Sequence, residues 1–331
     1  MKNRFILIIL LPLVTAGCYG KAEADERKYV ITAGIDVGEN KKYSMTIGEA
    51  QLKSNIGDET EPEKCSVEYG DSIIDIKNKA DNGSDRKMYF GQMKTLVIGR
   101  KIIENSELFE AFLYDAERMK ELNTKVIVVA ADNADNAVNA IMQKNDGNGM
   151  YIWDFYSNGD LADSDAAYMD IEKIIYNIRN SKGYIIPKLY CNDGEIYISD
   201  GYVMNGSEYK GDISENDIKG IKWLNGDADK SIIESNGIYA EILRQNTHIY
   251  LNDNRYNIEI SAECSIDGAG INNISADEIS NLKEVIKNII RNTINKAAEA
   301  KTDFINAGYD LNEYPSDISV DLKIISTGVI K

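Results

Sequence analysis

Cysteine and histidine carry the softest chemistry in this 331-residue chain, and they are few: Cys18, Cys65, Cys191, Cys264 and His248. A histidine-centred triad would need placed partners, and no G-x-S-x-G elbow accompanies His248. Zinc sites usually draw several Cys or His ligands, and no C-x-x-C is present. His248 therefore reads as an ordinary half-exposed strand residue. Asp132, Asp135, Asp160, Asp163 and Asp165 have calcium-ligand chemistry, but none fits an EF-hand loop, and they read as acidic turn residues. Tyr151, Trp153, Phe155 and Tyr156 form an aromatic knot that could stack on a sugar or small ligand, although such clusters are more often core or interface. No P-loop or dinucleotide glycine fingerprint occurs, and among 54 acids no pair stands out for glycoside hydrolysis. The expectation is a protein without catalytic machinery, cofactor or metal.

One cysteine has a clear context. Lys2 and Arg4 precede an apolar stretch over 5–14, followed by Thr15-Ala16-Gly17-Cys18. A basic start, a short apolar core and small residues make a secretory signal peptide. The apolar run is short for a bilayer span and contains Pro12. Ala16-Gly17-Cys18 resembles the bacterial lipobox, with Thr15 where Leu is usual. Cys18 is thus the expected lipid-attachment residue, with 1–17 a removed signal and 18–28 a lipidated tether. Each buried methylene contributes ~0.8 kcal/mol, so two palmitate-like chains on one cysteine anchor stably without a basic patch. The three other cysteines make an odd number and read as small buried apolar residues, one bridge plus a free thiol being the alternative.

Charge narrows the partners. The net charge is −17, and removal of Lys2 and Arg4 with the signal takes it to −19. Such a surface repels phosphate backbones and anionic headgroups, which excludes nucleic acid and polybasic membrane docking.

The elements that must carry any site follow from periodicity. Strands are expected over 29–36 and 42–48, joined around Gly38-Glu39-Asn40, with a polar loop over 53–70 and a short helix over 71–79. A buried strand over 95–98, a helix over 106–122, the apolar run 125–131 and helices over 134–142 and 170–179 suggest a mixed α/β layer. Beyond Pro187 the pattern changes to strands and turns, with Ser214 and Asp217 placed to cap a short helix leading to Trp223. Strands over 239–242, 249–251 and 257–262 suggest an antiparallel sheet. Ser275 and Glu278 form a capping box before a helix running to about 301, and alternation through Ile318, Val320, Leu322 and Ile324 marks a final strand. The fold class is α+β in three domains: a mixed α/β N-terminal domain over 29–184, a small β-rich middle domain over 185–236, and a C-terminal domain over 237–331 with a long helix on an antiparallel sheet.

The order of segments resembles the Ger(x)C family, the lipoprotein C subunit of bacterial spore germinant receptors. After the lipobox come a strand with Gly34-Ile35-Asp36 and then Lys41-Lys42-Tyr43. Leu96-Val97-Ile98-Gly99, Leu113-Tyr114-Asp115 and Val126-Ile127-Val128-Val129 match the family's strand, helix and strand, with Tyr114 where Arg is usual. In 198–224, Gly211, Ile213 and Trp223-Leu224 fall in place, while Asn205-Gly206-Ser207-Glu208 partly replaces a basic tip. Thr302-Asp303-Phe304, Gly308 and Thr327-Gly328-Val329-Ile330 follow the last helix, with a shorter stretch between them than the family usually has. The resemblance implies a non-enzymatic subunit working beside membrane-embedded A and B subunits on the outer face of the spore inner membrane. A solute-binding lipoprotein of a transporter is the alternative. It shares the lipobox and α/β content but usually shows two similar lobes.

Overall fold

A computed structural model describes residues 27–50, 65–144, 149–158, 166–192, 194–267, 274–311 and 313–326. Cys18 with its lipobox, the tether up to Glu26, Asp160, Asp163, Asp165 and the closing residues 327–330 lie outside them.

The apolar runs become parallel strands. β1 (Arg27–Val37), β5 (Thr95–Gly99), β6 (Ile127–Ala131) and β7 (Gly183–Asn192) lie side by side and parallel. β2 (Tyr43–Glu49) and β3 (Cys65–Gly70) extend this sheet antiparallel beyond β1, and β8 (Glu195–Asn205) and β9 (Glu208–Ile213) extend it beyond β7. The short β4 (Lys87–Tyr89) pairs with the start of β1. Residues 65–70, expected within a loop, thus form an edge strand. The β2 ladder orders a segment whose polar residues give it little strand propensity of its own.

Strand alternation assigns the two faces. Leu96, Ile98, Val128 and Ala130 enter one core with Ile76 of α1 (Ile73–Asn82), Ile102 of α2 (Arg100–Ile103), Phe109 and Phe112 of α3 (Ser106–Arg118) and Ile174 of α6 (Ile171–Arg179). Val97, Ile127 and Val129 face the opposite way onto Val138 and Ile141 of α4 (Ala134–Gln143) and Ile152 of α5 (Tyr151–Ser157). Side chains on a strand alternate in direction, so an unbroken apolar run signals cover on both faces.

A second sheet runs β10 (Ile232–Ser235), β11 (Ile238–Asn252), β12 (Arg255–Asp267), β13 (Ser316–Ser326). The helix expected after Ser275 is α8 (Ala276–Ala300), opened by a complete capping box with Glu278. Leu282, Ile286 and Ile290 lie fully buried in one core with Ile242, Ile258 and Cys264. β10, β11 and β12 are antiparallel neighbours, but β13 runs parallel to β12. A 25-residue helix rising ~1.5 Å per residue carries the chain back along the sheet, so the next strand starts from the same end as β12.

Residues 185–236 link the two cores. On β7, Tyr184 and Ile186 enter the first core while Ile185 enters the second, and on β8 Tyr202 and Met204 flank Val203 in the same way. α7 (Glu215–Asn225), capped by Ser214 and Asp217, lays Trp223 and Leu224 into the second core against α8. A Cβ on Gly220 would come within 2.0 Å of Thr293 Oγ1, so α7 and α8 meet only because this position is glycine. Gly220→Val should destabilise the fold by about 2 kcal/mol or more through overpacking, lowering the urea midpoint without changing far-UV circular dichroism at zero denaturant.

Candidate functional site

The strand ends of the first sheet gather the polar residues. The Gly34-Ile35-Asp36 triplet lies next to the last residue of β1, Val37, and each member has a packing role. A Cβ on Gly34 would lie 2.8 Å from Val138 Cγ2 and 2.9 Å from the Ala134 carbonyl oxygen, so its absence lets α4 approach the strand. Ile35 is fully buried. Asp36 Oδ2 accepts hydrogen bonds from the N–H groups of Ala134 at 2.8 Å and Asp135 at 3.1 Å, closing the exposed end of α4. Gly99 at the end of β5 makes room for that carboxylate, since a Cβ there would lie 1.8 Å from Asp36 Oδ1. Burial raises the Asp36 pKa, the two N–H donors oppose the rise, and the Asp135 charge adds to it.

Beside Asp36, cations, carboxylates and tyrosines interlock. Arg100 opens α2, and its Nε donates to Glu104 Oε1 at 2.7 Å, which holds the guanidinium still more firmly protonated. Its other nitrogens lie 3.8 Å from Asp212 on β9 and 4.0 Å from Asp132 after β6, and its plane sits 5.7 Å above the Tyr202 ring. Lys188 Nζ is 3.4 Å from Asp132 and lies over the rings of Tyr190 and Tyr202 at 4.8 and 5.4 Å. Tyr202 donates to Asp132 at 3.3 Å, and Tyr209 donates to Asp212 at 2.8 Å. Burial, followed by that hydrogen bond, pushes the Tyr209 pKa up to about 12. Tyr190 donates to Asp200 Oδ2 at 2.6 Å, and Asp200 Oδ1 accepts from the N–H of Glu215 at 2.8 Å, the first residue of α7. The cluster therefore clamps the β8–β9 hairpin to the ends of β5 and β6 and ties both to α7.

A second polar joint lies at the opposite end of β7. The side chain of Asp303 accepts from the N–H groups of Ile305 and Asn306, forming a turn that buries Phe304. Asn306 donates to the Gly183 carbonyl at 3.0 Å, and a Cβ on Gly183 would come within 2.5 Å of the Asp303 carbonyl oxygen. Asn225 at the end of α7 donates to the Ile305 carbonyl at 3.0 Å. The turn after α8 is thereby fastened to the first strand of the shared wall.

The residues singled out in the sequence are scattered. Cys65 is half-buried on β3, Cys191 half-buried on β7, and Cys264 buried on β12. Cys191 and Cys264 carry free thiols, and burial pushes the Cys264 thiol up to about 11. His248 is exposed on β11, its ring 5.4 Å from that of Tyr250. Asp132 belongs to the polar clamp, whereas Asp135 accepts from Thr46 Oγ1 and Asn139. The aromatic knot is mostly packing: Tyr151, Trp153 and Tyr156 lie against the α4 core. Tyr151 and Tyr156 donate to the carbonyls of Ile196 and Ala167. Arg100, Lys188, Tyr190, Tyr202, Tyr209 and Asp212 escaped sequence reading. For those after Arg100 the only signal is the recurrence of tyrosine with Asp and Lys across 188–212, whose partners Arg100 and Asp132 lie far away in the sequence.

An α+β fold of two sheets, joined through polar clusters along β7, is the class these observations define. Residues 20–189 match the family model described as spore germination protein N-terminal domain. Residues 199–328 match the model described as spore germination B3/GerAC like, C-terminal. The chain belongs to this spore germination family, the Ger(x)C proteins. Its fold is similar to the crystal structure of the GerBC protein, with a TM-score of 0.52 and 16% identity over 88% of this chain and 96% of that one. No curated protein sequence matches it significantly.

The raised pKa of Asp36 means that the native state binds its proton more tightly than the unfolded chain does, so this group's contribution to stability falls as pH rises through the carboxylate range. Asp36→Asn should remove that slope while its amide oxygen keeps the cap, whereas Asp36→Ala should cost about 1 kcal/mol at neutral pH. Urea titrations at pH 4 and pH 7 check both; an unchanged slope in Asp36→Asn would refute the assignment.

Proposed function

We propose that this chain is the lipid-anchored C subunit of a nutrient germinant receptor, attached to the membrane through a diacylglyceryl group on Cys18. The observation that carries this reading is the match of both family models across 20–189 and 199–328, beginning just past the lipobox cysteine. The subunit is non-catalytic and contributes to assembly of the receptor with its A and B membrane subunits, on the outer face of the spore inner membrane. The positions that carry the family resemblance support a scaffolding part. Gly34, Asp36 and Gly99 seat α4, Asp115 accepts from the N–H of Ile73 to close α1, and Asp303 shapes the turn under β7. No helix of the described residues is long and apolar enough to cross a membrane; two acyl chains on Cys18 would anchor the chain stably. We read 29–184, 185–236 and 237–331 as the working units, with 185–236 as the joining module. The two sheets differ in size and strand order, unlike the paired lobes usual in a transporter's solute-binding protein.

Spores carrying an in-frame deletion of this chain should lose release of core solutes in response to one class of nutrient, and Cys18→Ala spores should show the same defect. Germination at the wild-type rate on every nutrient in both strains would sink the proposal. Tight calorimetric binding of a free nutrient by the purified chain would instead favour the solute-binding reading.

A further inference from the structure

β13 forms one edge of the second sheet, and no strand pairs with its other side among the described residues. At eleven residues it is much the longest open edge; β10 has four residues and β3 and β9 six each. Its pairing with β12 is regular from Ser316 to Ile324, and a register shift at Ile325 ends the regular stretch. Such an edge offers a row of backbone donors and acceptors to another strand unless something blocks it.

The charges on this edge are arranged for one partner. Asp317, Ser319, Asp321 and Lys323 face solvent, while Val320 and Leu322 turn into the core and Ile318 and Ile324 remain half-buried. A lone lysine on an edge often keeps strands apart. Two copies of this strand laid antiparallel with Val320 opposite Val320 give a different outcome. Asp317 then lies opposite Lys323 of the second copy, twice by symmetry, and Ser319 lies opposite Asp321. On the inner face Ile318 lies opposite Leu322, continuing the apolar row across the junction and covering the half-buried Ile318. This register uses all of the regular stretch and stops at the bulge. Centring on Asp321 or Ser319 instead would set Asp against Asp, centring on Lys323 would set Lys against Lys, and centring on Leu322 would pair Asp321 with Lys323 but run through the bulge at Ile325.

We propose that β13 is a self-pairing edge, through which two copies of this chain join about a two-fold axis into one continuous eight-stranded sheet. The contact is isologous, as closed dimers require, and the charged pairs together with the bulge at Ile325 fix its register. A single-strand contact buries little surface, which places the dimer in the weak class.

The test is sedimentation velocity of the full mature chain in a mild detergent, from about 5 to about 500 µM, the range suited to a contact of this size. The wild type should shift from monomer to dimer with concentration. Lys323→Asp and Asp317→Lys should each weaken the dimer at least about tenfold, because both symmetric pairs become repulsive. The double variant, Asp317→Lys with Lys323→Asp, should regain the dimer. Within one chain that exchange only worsens matters, since Asp317 bonds Arg255 at 2.8 Å and Lys323 bonds Glu263 at 3.2 Å. A purely intramolecular role therefore predicts compounded loss. Urea midpoints establish that each variant is folded. A wild type that stays monomeric throughout, or a folded double variant that fails to regain dimerisation, would overturn the proposal.

Discussion

Tyr184 and Ile186 point into one core and Ile185 between them into another, and Tyr202, Val203 and Met204 repeat the arrangement on the next strand. Much else depends on this double-sided burial. A strand covered on both faces cannot slip by one residue without exchanging its side chains between two differently shaped cores, so β7 and β8 hold a fixed register. Because they form a wall of both cores, the position of α7 and the second sheet is set relative to the parallel strands by packing rather than by a linker. Ile213 and Trp223 carry the same core outward to α8.

Polar residues reinforce that wall from both ends. At one end Arg100 and Lys188 share Asp132 and hold the hairpin tyrosines, and Asp200 passes the connection to the start of α7. At the other end the Asp303 turn sits against Gly183, where only a missing side chain allows the approach. Exposed ion pairs contribute little individually, but a half-buried network that spans several elements adds directional restraint to non-directional packing. The arrangement gives the family-marking glycines and aspartates places in caps, turns and close backbone approaches.

The strongly negative charge is spread over a surface in which many lysines and arginines already hold a carboxylate, among them Lys41 with Asp71, Lys77 with Asp81 and Lys144 with Glu195. Mutual repulsion across such a surface keeps copies apart in general. An encounter is favoured only where opposite charges meet in register, which makes the pattern along β13 a selective feature rather than a generally adhesive one.

Local chemistry in the sequence determined the elements whose cause is local. The run at 125–131 fitted a doubly covered strand, which forms over Ile127–Ala131, the Ser275 and Glu278 pair marked the start of α8, and Ser214 with Asp217 marked that of α7. The family was legible too, because its marks are glycines and aspartates at turns and caps, where backbone geometry restricts the residue type. Tertiary structure alone decided the rest. β3 is a strand because β2 pairs with it, and β13 is parallel to β12 because α8 returns the chain across the sheet. Arg100, Lys188 and Tyr202 became one cluster only when the ends of β5 and β6 met the middle of β7 and β8. Periodicity records which way a side chain points along its own element, but not which distant element lies opposite, since that is fixed by the summed burial of the whole chain.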